Sequence, residues 1–196
     1  IIEDEGTHIT IKTMHGDFNT SRIVYTTGYN RLPHGSLTGA DINRSYAIVT
    51  EQNPRFEGWY EQALIWETAR PYLYLRRTSD NRVIIGGLDE KKAKPTKGQE
   101  KIEAMAEKLL DELHRLFPSE AFQAPYKYSA SFGESLDNLP FIGQHPDEKN
   151  HYYLLGFGGN GTVYSLLGAS ILADLIMGRK NDDARLVTLD RKYGLT

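Results

Sequence analysis

The segment that most constrains this chain is Leu154-Leu155-Gly156-Phe157-Gly158-Gly159-Asn160-Gly161-Thr162, near the end of its 196 residues. An apolar run that breaks into glycines and resumes as Val163–Met177 predicts a strand, a tight turn and a helix. Glycines let backbone approach a ligand closely, and a helix N-terminus offers free N–H groups and a partial positive charge. Read as Gly156-x-Gly158-x-x-Gly161, the segment also fits the dinucleotide fingerprint. That fingerprint needs a further β-α-β unit and an acidic residue about twenty positions on. Asp182 or Asp183 stands at that distance, but only residues 184–196 follow. A helix N-terminus facing a ligand is therefore the first reading. A tight turn beneath a packed helix comes second, and a Rossmann-type start third.

Composition removes several classes of function. A net charge of −3 gives no electrostatic basis for binding nucleic acid or an anionic membrane. The local run Lys91-Lys92-Ala93-Lys94 is read as a solvated loop. The chain has no cysteine, which excludes disulfides, thiolate catalysis, a Cys-ligated metal and a Cys-tethered flavin. It fits a reducing, cytoplasmic setting. Val163–Met177 is too short to span a bilayer and carries Asp174. The six histidines lack metal-ligand spacing, so no metal is expected, and His145 and His151, flanking a turn, are expected in solvent. The chain begins Ile1-Ile2-Glu3 without an initiator Met, so a piece of a longer or processed chain is expected.

Strands are predicted at Thr7–Thr13 and Arg22–Gly28, separated by a turn at His15-Gly16-Asp17. A Gly/Pro/Asn-rich loop covers 29–40. Four further strands are predicted at Ser45–Thr50, Ala63–Glu67, Tyr72–Arg77 and Arg82–Gly87, in hairpins. Thr96-x-x-Gln99 has the form of a capping box. Ile102, Met105, Ala106, Leu109, Leu110, Leu113 and Leu116 make one apolar helical face, which Pro118 ends. Tyr126–Phe132 and His151–Leu155 are strand-like. The helix over about 162–177 is apolar on most faces and is expected to be largely buried.

Four segments, in this order and spacing, together resemble one family. They are Ile23-Val24-Tyr25-Thr26-Thr27-Gly28, Arg82-Val83-Ile84-Ile85-Gly86-Gly87-Leu88-Asp89, Asp137-Asn138-Leu139-Pro140-Phe141-Ile142-Gly143, and Gly156–Thr162 with its helix. They are similar to the C-terminal half of the FAD-dependent amine and amino-acid oxidoreductases, the D-amino-acid oxidase, glycine oxidase and sarcosine oxidase superfamily. The resemblance implies an α+β fold: an antiparallel or mixed sheet forming a substrate domain with a packed amphipathic helix, plus a remnant of a Rossmann-like FAD domain. Residues 1–28 would be late strands of the FAD domain, 29–136 the substrate domain, and 137–196 the last FAD-domain strand, glycine loop and helix.

The resemblance also implies roles. FAD would lie against Gly28, Gly143, Gly158, Gly159, Asn160, Gly161 and Thr162, and the backbone N–H groups of the last five would meet the flavin N1/C2 carbonyl edge. The chemistry would be the flavin's, with orientation and charge supplied by the protein. No catalytic side chain is assigned. The family's first Gly-x-Gly-x-x-Gly is missing upstream of residue 156, so this chain is expected to bind FAD weakly or not at all by itself. Its partners would be a small amine or amino-acid substrate and the missing N-terminal FAD-binding part.

Two departures bear on substrate. Glycine-oxidase-like members place a carboxylate-gripping arginine just before the Asp-x-x-Pro segment, and here Phe132 stands there. Such members can also carry arginine before Asn-Gly in the glycine loop, and here Gly159 does. A bidentate arginine clamp is hard to replace, so an amine or N-alkyl substrate is favoured over an α-amino acid. Arg70, Arg76 and Arg77 are the remaining clamp candidates, though solvated strand ends suit each better. Trp66, Tyr72, Tyr74 and Phe132 are substrate-pocket candidates, the first three for cation–π contact with a substrate ammonium, with plain sheet packing as the alternative. Two other readings stay open: a non-catalytic binding domain with this architecture, and a minimal NAD(P)-binding module over residues 150–190.

Overall fold

Alternating apolar residues and glycine turns build most of the strands in the computed structural model, which describes residues 1–28, 40–53, 58–69, 71–91 and 98–191. In chain order these form β1 (Ile2–Asp4), β2 (Ile9–Thr13), β3 (Gly16–Thr20), β4 (Ile23–Tyr25), β5 (Ala40–Val49), β6 (Ile65–Trp66), β7 (Tyr74–Arg77) and β8 (Val83–Glu90). Helix α1 (Gln99–Leu116), β9 (Tyr126–Ser135), β10 (Phe141–Gln144), β11 (His151–Leu155) and α2 (Gly161–Ile176) follow. Two short 3-10 turns, Tyr60–Gln62 and Asp183–Leu186, complete the set. The fold is α+β. No described helix is long and apolar enough to cross a membrane, and the described residues hold no metal-binding cluster.

The chain divides into two units, Ile1–Asp41 with Phe132–Thr196, and Ile42–Ser131. In the first, β1, β2 and β3 form an antiparallel meander. The turn expected at His15–Asp17 falls one residue earlier, because Gly16 and Asp17 already pair with Thr13 and Lys12. Strand β3 carries one large apolar residue, Phe18, and buries nothing fully, so hydrophobic pattern could not reveal it. Pairing with β2 and a Thr10 hydroxyl donating to Asn19 Oδ1 at 2.8 Å define it instead.

The second sheet of this unit runs β10-β11-β4, with β10 antiparallel and β4 parallel to β11. Every residue of β11 is buried, as a central strand covered on both faces requires. Tyr152 and Leu154 pack with Ile142, Ile171, Leu172, Ala184 and Val187. Tyr153 and Leu155 pack with Tyr25 and Phe141 in a separate cluster. Helix α2 lies close to this sheet at Gly168, where a Cβ would stand 2.0 Å from Leu154 Cδ1.

Two expectations fail in this unit. Helix α2 buries only Gly168, Ile171 and Leu172, while Leu166 is 73% exposed and Val163, Leu167 and Met177 are also exposed. One face of the helix meets β10 and β11, and no described element of this unit covers the rest. His151 is not in solvent: it is 0% exposed, because the central strand of a sheet begins with it. Its Nδ1 lies 2.8 Å from the Tyr25 hydroxyl and 3.4 Å from Glu148 Oε2, and its Nε2 lies 3.1 Å from Asp4 Oδ2. A carboxylate can only accept, so Nε2–H donates to Asp4 and, in the neutral ring, Nδ1 accepts from Tyr25. Tyr25 also stacks on Tyr153 at 4.6 Å. Burial pushes both phenols up, that of Tyr153 to about 12.

Arg191 ties the end of the described chain to the turn before β10. Its guanidinium donates to Asp137 Oδ2 at 2.7 Å and Oδ1 at 2.9 Å, and to the carbonyls of Leu139, Pro140 and Thr188. It also lies 4.2 Å from the centre of the Phe141 ring.

The second unit is a five-stranded sheet, β6-β7-β8-β5-β9, with α1 on one face. Tyr46, Ile48, Leu73, Leu75, Val83 and Ile85 meet Ala106, Leu109 and Leu113 of the helix. Strand β5 begins at Ala40 rather than Ser45, ahead of its apolar run. The strand expected over Ala63–Glu67 shrinks to Ile65–Trp66, after a 3-10 turn in which Glu61 is left-handed. Gly98 caps α1 and the Gln99 amide donates forward to Glu103 Oε1 at 2.7 Å, so Gln99 does not play the expected capping-box part. Thr96, Lys92 and Lys94 lie outside the described residues, as do residues 29–39 of the expected loop. Glu90 lies against Arg44, Lys101 and Tyr46. Burial works against its charge, but those three hydrogen bonds hold its carboxyl down at about 2.

The Arg191 fork, partly opposed by burial, holds the Asp137 carboxyl down at about 2. A carboxyl depressed on folding contributes stability that is complete above its unfolded value of about 4 and is lost as pH falls through the folded value. Arg191→Ala should therefore cost about 2 kcal/mol in urea unfolding at neutral pH. Its penalty should shrink between about pH 4 and pH 2. Arg191→Lys should recover only part of the loss, because an ammonium cannot reproduce the fork.

Candidate functional site

Strands β4 and β11 are parallel, with His151, Tyr152 and Tyr153 opposite Ile23, Val24 and Tyr25. Both therefore end at the same edge. Three residues beyond Tyr25 comes Gly28, with φ +66°, and three beyond Tyr153 comes Gly156, with φ +73°. Ligands of open sheets with parallel strands bind beyond the carboxyl ends of those strands. Antiparallel β10 starts at this edge too, so the Asp137–Pro140 turn also lies here. The Tyr164 hydroxyl, in the first turn of α2, donates to the Asn138 carbonyl at 3.2 Å and fixes that turn beside the helix.

The glycine loop has its own supports. Gly158 N–H donates to Gly133 O at 2.9 Å, Phe157 bridges Glu134, and Asn160 N–H donates to Phe157 O at 3.1 Å. Gly158 is left-handed at φ +54°, and a Cβ built there meets nothing within 4 Å. Asn160 occupies the N-cap position of α2 without a side-chain cap, and the first turn holds no acidic residue. The N–H groups of Gly161, Thr162 and Val163 have no acceptor among the described residues. An uncapped N-terminus of this kind favours a polar, electron-rich ligand edge.

Of the expected site residues, Gly28, Gly158, Gly159, Asn160, Gly161 and Thr162 fall on this edge or its helix start. Gly143 lies inside the sheet instead, buried in β10 opposite Tyr153, with its missing Cβ aimed at Leu189. Phe132 is half-buried on β9.

Trp66, Tyr72 and Tyr74 belong to the second unit. Trp66 pairs with Tyr74, Tyr74 with Gly86 and Gly86 with Ala47, one row across four strands on the face away from α1. Trp66 and Tyr72 meet edge-on at 5.6 Å, and Tyr72 and Tyr74 are 6.3 Å apart. Arg77 faces the other way and donates to Asn53 O and Asn81 Oδ1, which makes it a turn support. Arg76 is exposed, and Arg70 lies outside the described residues. Burial raises the Tyr74 hydroxyl, and Ser45 and Asp89, which sequence reasoning left out, lie close enough to act on it. Strand register across β5, β7 and β8 would have been needed to find them.

The sequence matches the DAO family, FAD dependent oxidoreductase, over residues 1–175, and the chain belongs to that family. Its structure is similar to glycine oxidase from Geobacillus kaustophilus, with TM-score 0.78 and 21% identity over 98% of this chain and 51% of that one. It is similar to glycine oxidase from Bacillus cereus ATCC 14579, with TM-score 0.68 and 16% identity over 97% of this chain and 52% of that one. It is also similar to L-amino acid deaminase from Proteus vulgaris lacking its specific insertion sequence, with TM-score 0.71 and 16% identity over 97% of this chain and 48% of that one. These likenesses are of fold, and the chain spans about half the length of each structure. No curated protein matches the sequence.

Two glycines of the loop, Gly158 and Gly161, should respond differently to a methyl group. Gly158→Ala should cost about 1 kcal/mol in thermal or urea unfolding, because a side chain is strained at positive φ. Gly161→Ala should be neutral or slightly stabilising. Its φ is not positive, its Cβ would meet Phe157 Cβ at an ordinary 3.8 Å, and alanine favours the helix.

Proposed function

We propose that this chain supplies the flavin-facing half of the cofactor domain and the substrate domain of a flavoenzyme that oxidises a C–N bond. The observation that carries this reading is the shared carboxyl edge of β4 and β11, where Gly28, the glycine loop and the uncapped start of α2 come together. The open space before Gly158 and the unaccepted N–H groups of the first helical turn fit the N1/C2 carbonyl edge of FAD. The N–H groups of Gly161 and Thr162 would hold that edge, with Gly158, Gly159 and Asn160 lining it, Gly28 beside them and Gly143 supporting the sheet behind. The N–H groups of Gly158 and Asn160 are already given to Gly133 and Phe157. When bound, the flavin supplies the hydride acceptor. The chain's own residues then orient the ring and keep positive potential at its polar edge.

The exposed apolar side of α2 and the open outer edge of β4 support a second part of the reading. They would be covered by a nucleotide-binding part of the whole protein that carries the ADP cradle. Residues 1–28 and 137–196 would belong to the cofactor domain, and 29–136 to the substrate domain. Phe132 and Gly159, at the positions where family members place arginine, favour an amine or N-alkyl substrate over an α-amino acid. Trp66, Tyr72 and Tyr74 would line the substrate side.

The experiment is purification of the full gene product and of residues 1–196 in parallel, each titrated with FAD and followed by flavin fluorescence. The expected result is a full-length protein that retains flavin and bleaches it anaerobically with an amine, and a 196-residue chain that binds FAD weakly or not at all. Gly158→Val in the full-length protein should release flavin while the secondary structure stays intact. A full-length product that never binds flavin would overturn the reading.

A further inference from the structure

Asn160 stands where its own side chain can react. Asn160-Gly161 is the single Asn-Gly pair in the 196 residues. The Asn160 side chain is exposed and makes no cap at the start of α2. Beside it, the Gly161 N–H has no acceptor among the described residues. A backbone nitrogen so placed is a nucleophile for the side-chain amide carbon Cγ, and Gly161 has no Cβ to hinder the approach. Other asparagines lack these features. The N–H after Asn138, that of Leu139, donates to Asp137 Oδ1 at 3.1 Å. Asn150 Nδ2 donates to Gly6 O at 2.8 Å, and the following His151 N–H donates to Glu148 O at 3.1 Å. Asn181 is held at both side-chain atoms, by Asp174 Oδ2 and by the Asp183 N–H.

The backbone sets what must move first. Asn160 has ψ 29°, so the Gly161 nitrogen does not yet face Cγ. Turning the 160–161 peptide plane brings the nitrogen round without moving the rest of the chain. The bond of 3.0 Å from Tyr164 N–H to Asn160 O opposes that turn. The turn gives residue 161 a new φ, and glycine accepts φ on either side of zero. A single hydrogen bond at a helix end is a weak restraint, because such ends open most readily.

We propose that Asn160 is a self-modification site that converts to an acid in flavin-free protein. Hydroxide takes the proton of Gly161 N, which then bonds to Asn160 Cγ. The Cγ–Nδ2 bond breaks, and Nδ2 leaves as ammonia with a proton from water, which regenerates hydroxide. Water then opens the succinimide ring. Opening at Cγ leaves aspartate, and opening at the main-chain carbonyl carbon leaves isoaspartate. Water is consumed and ammonia released, with no change in oxidation state. Either product places a carboxylate at the start of α2, where aspartate is a strong cap and the helix dipole favours negative charge. That carboxylate takes the N–H groups that an electron-rich flavin edge would use. This consequence rests on the flavin reading above: bound flavin accepts the Gly161 N–H and blocks the attack, and without flavin the site closes itself.

The test incubates residues 1–196 without flavin at mildly alkaline pH, with circular dichroism confirming the fold throughout. Peptide mass spectrometry reads conversion at each asparagine, and enzymatic carboxyl methylation reads isoaspartate. Asn160 should convert about a hundredfold faster than Asn150 or Asn181 and give both acids. Gly161→Ala, which keeps the fold, should slow conversion about tenfold, because alanine hinders the approach and resists the turned φ. Conversion at Asn160 no faster than at Asn150 and Asn181, or equally fast in folded Gly161→Ala, would overturn the proposal. In the full-length protein, saturating FAD should slow conversion about tenfold. There Asn160→Asp should weaken FAD retention about tenfold with secondary structure unchanged. Undiminished retention in Asn160→Asp would overturn the link to flavin. A full-length protein that holds no flavin even with Asn160 intact would sink the flavoenzyme reading and leave the modification standing.

Discussion

Parallel pairing of β4 with β11 is the constraint on which the first unit depends. It joins Tyr25 to His151, 126 positions apart, through a hydrogen bond of 2.8 Å. Parallel neighbours cannot be joined by a hairpin and need a crossover. Here the crossover contains the whole second unit, Ile42–Ser131. Closing so long a loop costs entropy that grows only slowly with its length. The Tyr25–Tyr153 stack and the Asp4–His151–Tyr25 chain of polar contacts offset that cost where the strands meet. Because the pair is parallel, its two glycine turns leave at one edge, and that edge is where a ligand can be held.

The polar edge and the apolar surface of α2 have a common origin. The helix stays close to the sheet because Gly168 has no side chain, and it starts directly from a glycine loop that provides no cap. Its first N–H groups are left for a ligand, and its outer residues for a covering surface. Arg191 and Tyr164 hold the neighbouring Asp137–Pro140 turn in place, so the edge is firm although its loop is rich in glycine. Firm surroundings with unsatisfied donors are what preorganised electrostatic stabilisation requires.

Much of the fold was legible in the residues. The amphipathic spacing of α1, the β7–β8 hairpin, the strand at His151–Leu155 and the glycine loop with its helix all stand where pattern placed them. Each owes its form to local periodicity or turn chemistry. What pattern missed has a different cause. Strand β3 exists through pairing with β2, not through hydrophobic alternation. His151 reads as a loop-flanking polar residue, yet it is sealed by strands drawn from both ends of the chain. Arg191 gives no local signal, because its partner Asp137 lies 54 positions away. Only the outer face of α2 reads as more buried than it is, since composition reports a helix's demand for burial and not what meets it.

The sequence by itself determined the α+β class, the glycine loop leading into a helix and the family membership, because these rest on local spacing and on motifs in order. Tertiary structure alone decided that Gly28 and Gly156 leave one edge, that Tyr74 lies over Gly86, and that Arg77 turns away while Arg76 does not. These depend on strand register and direction. A shift of one residue reverses every side chain on a strand, and no periodicity within a single strand fixes which neighbour it will meet.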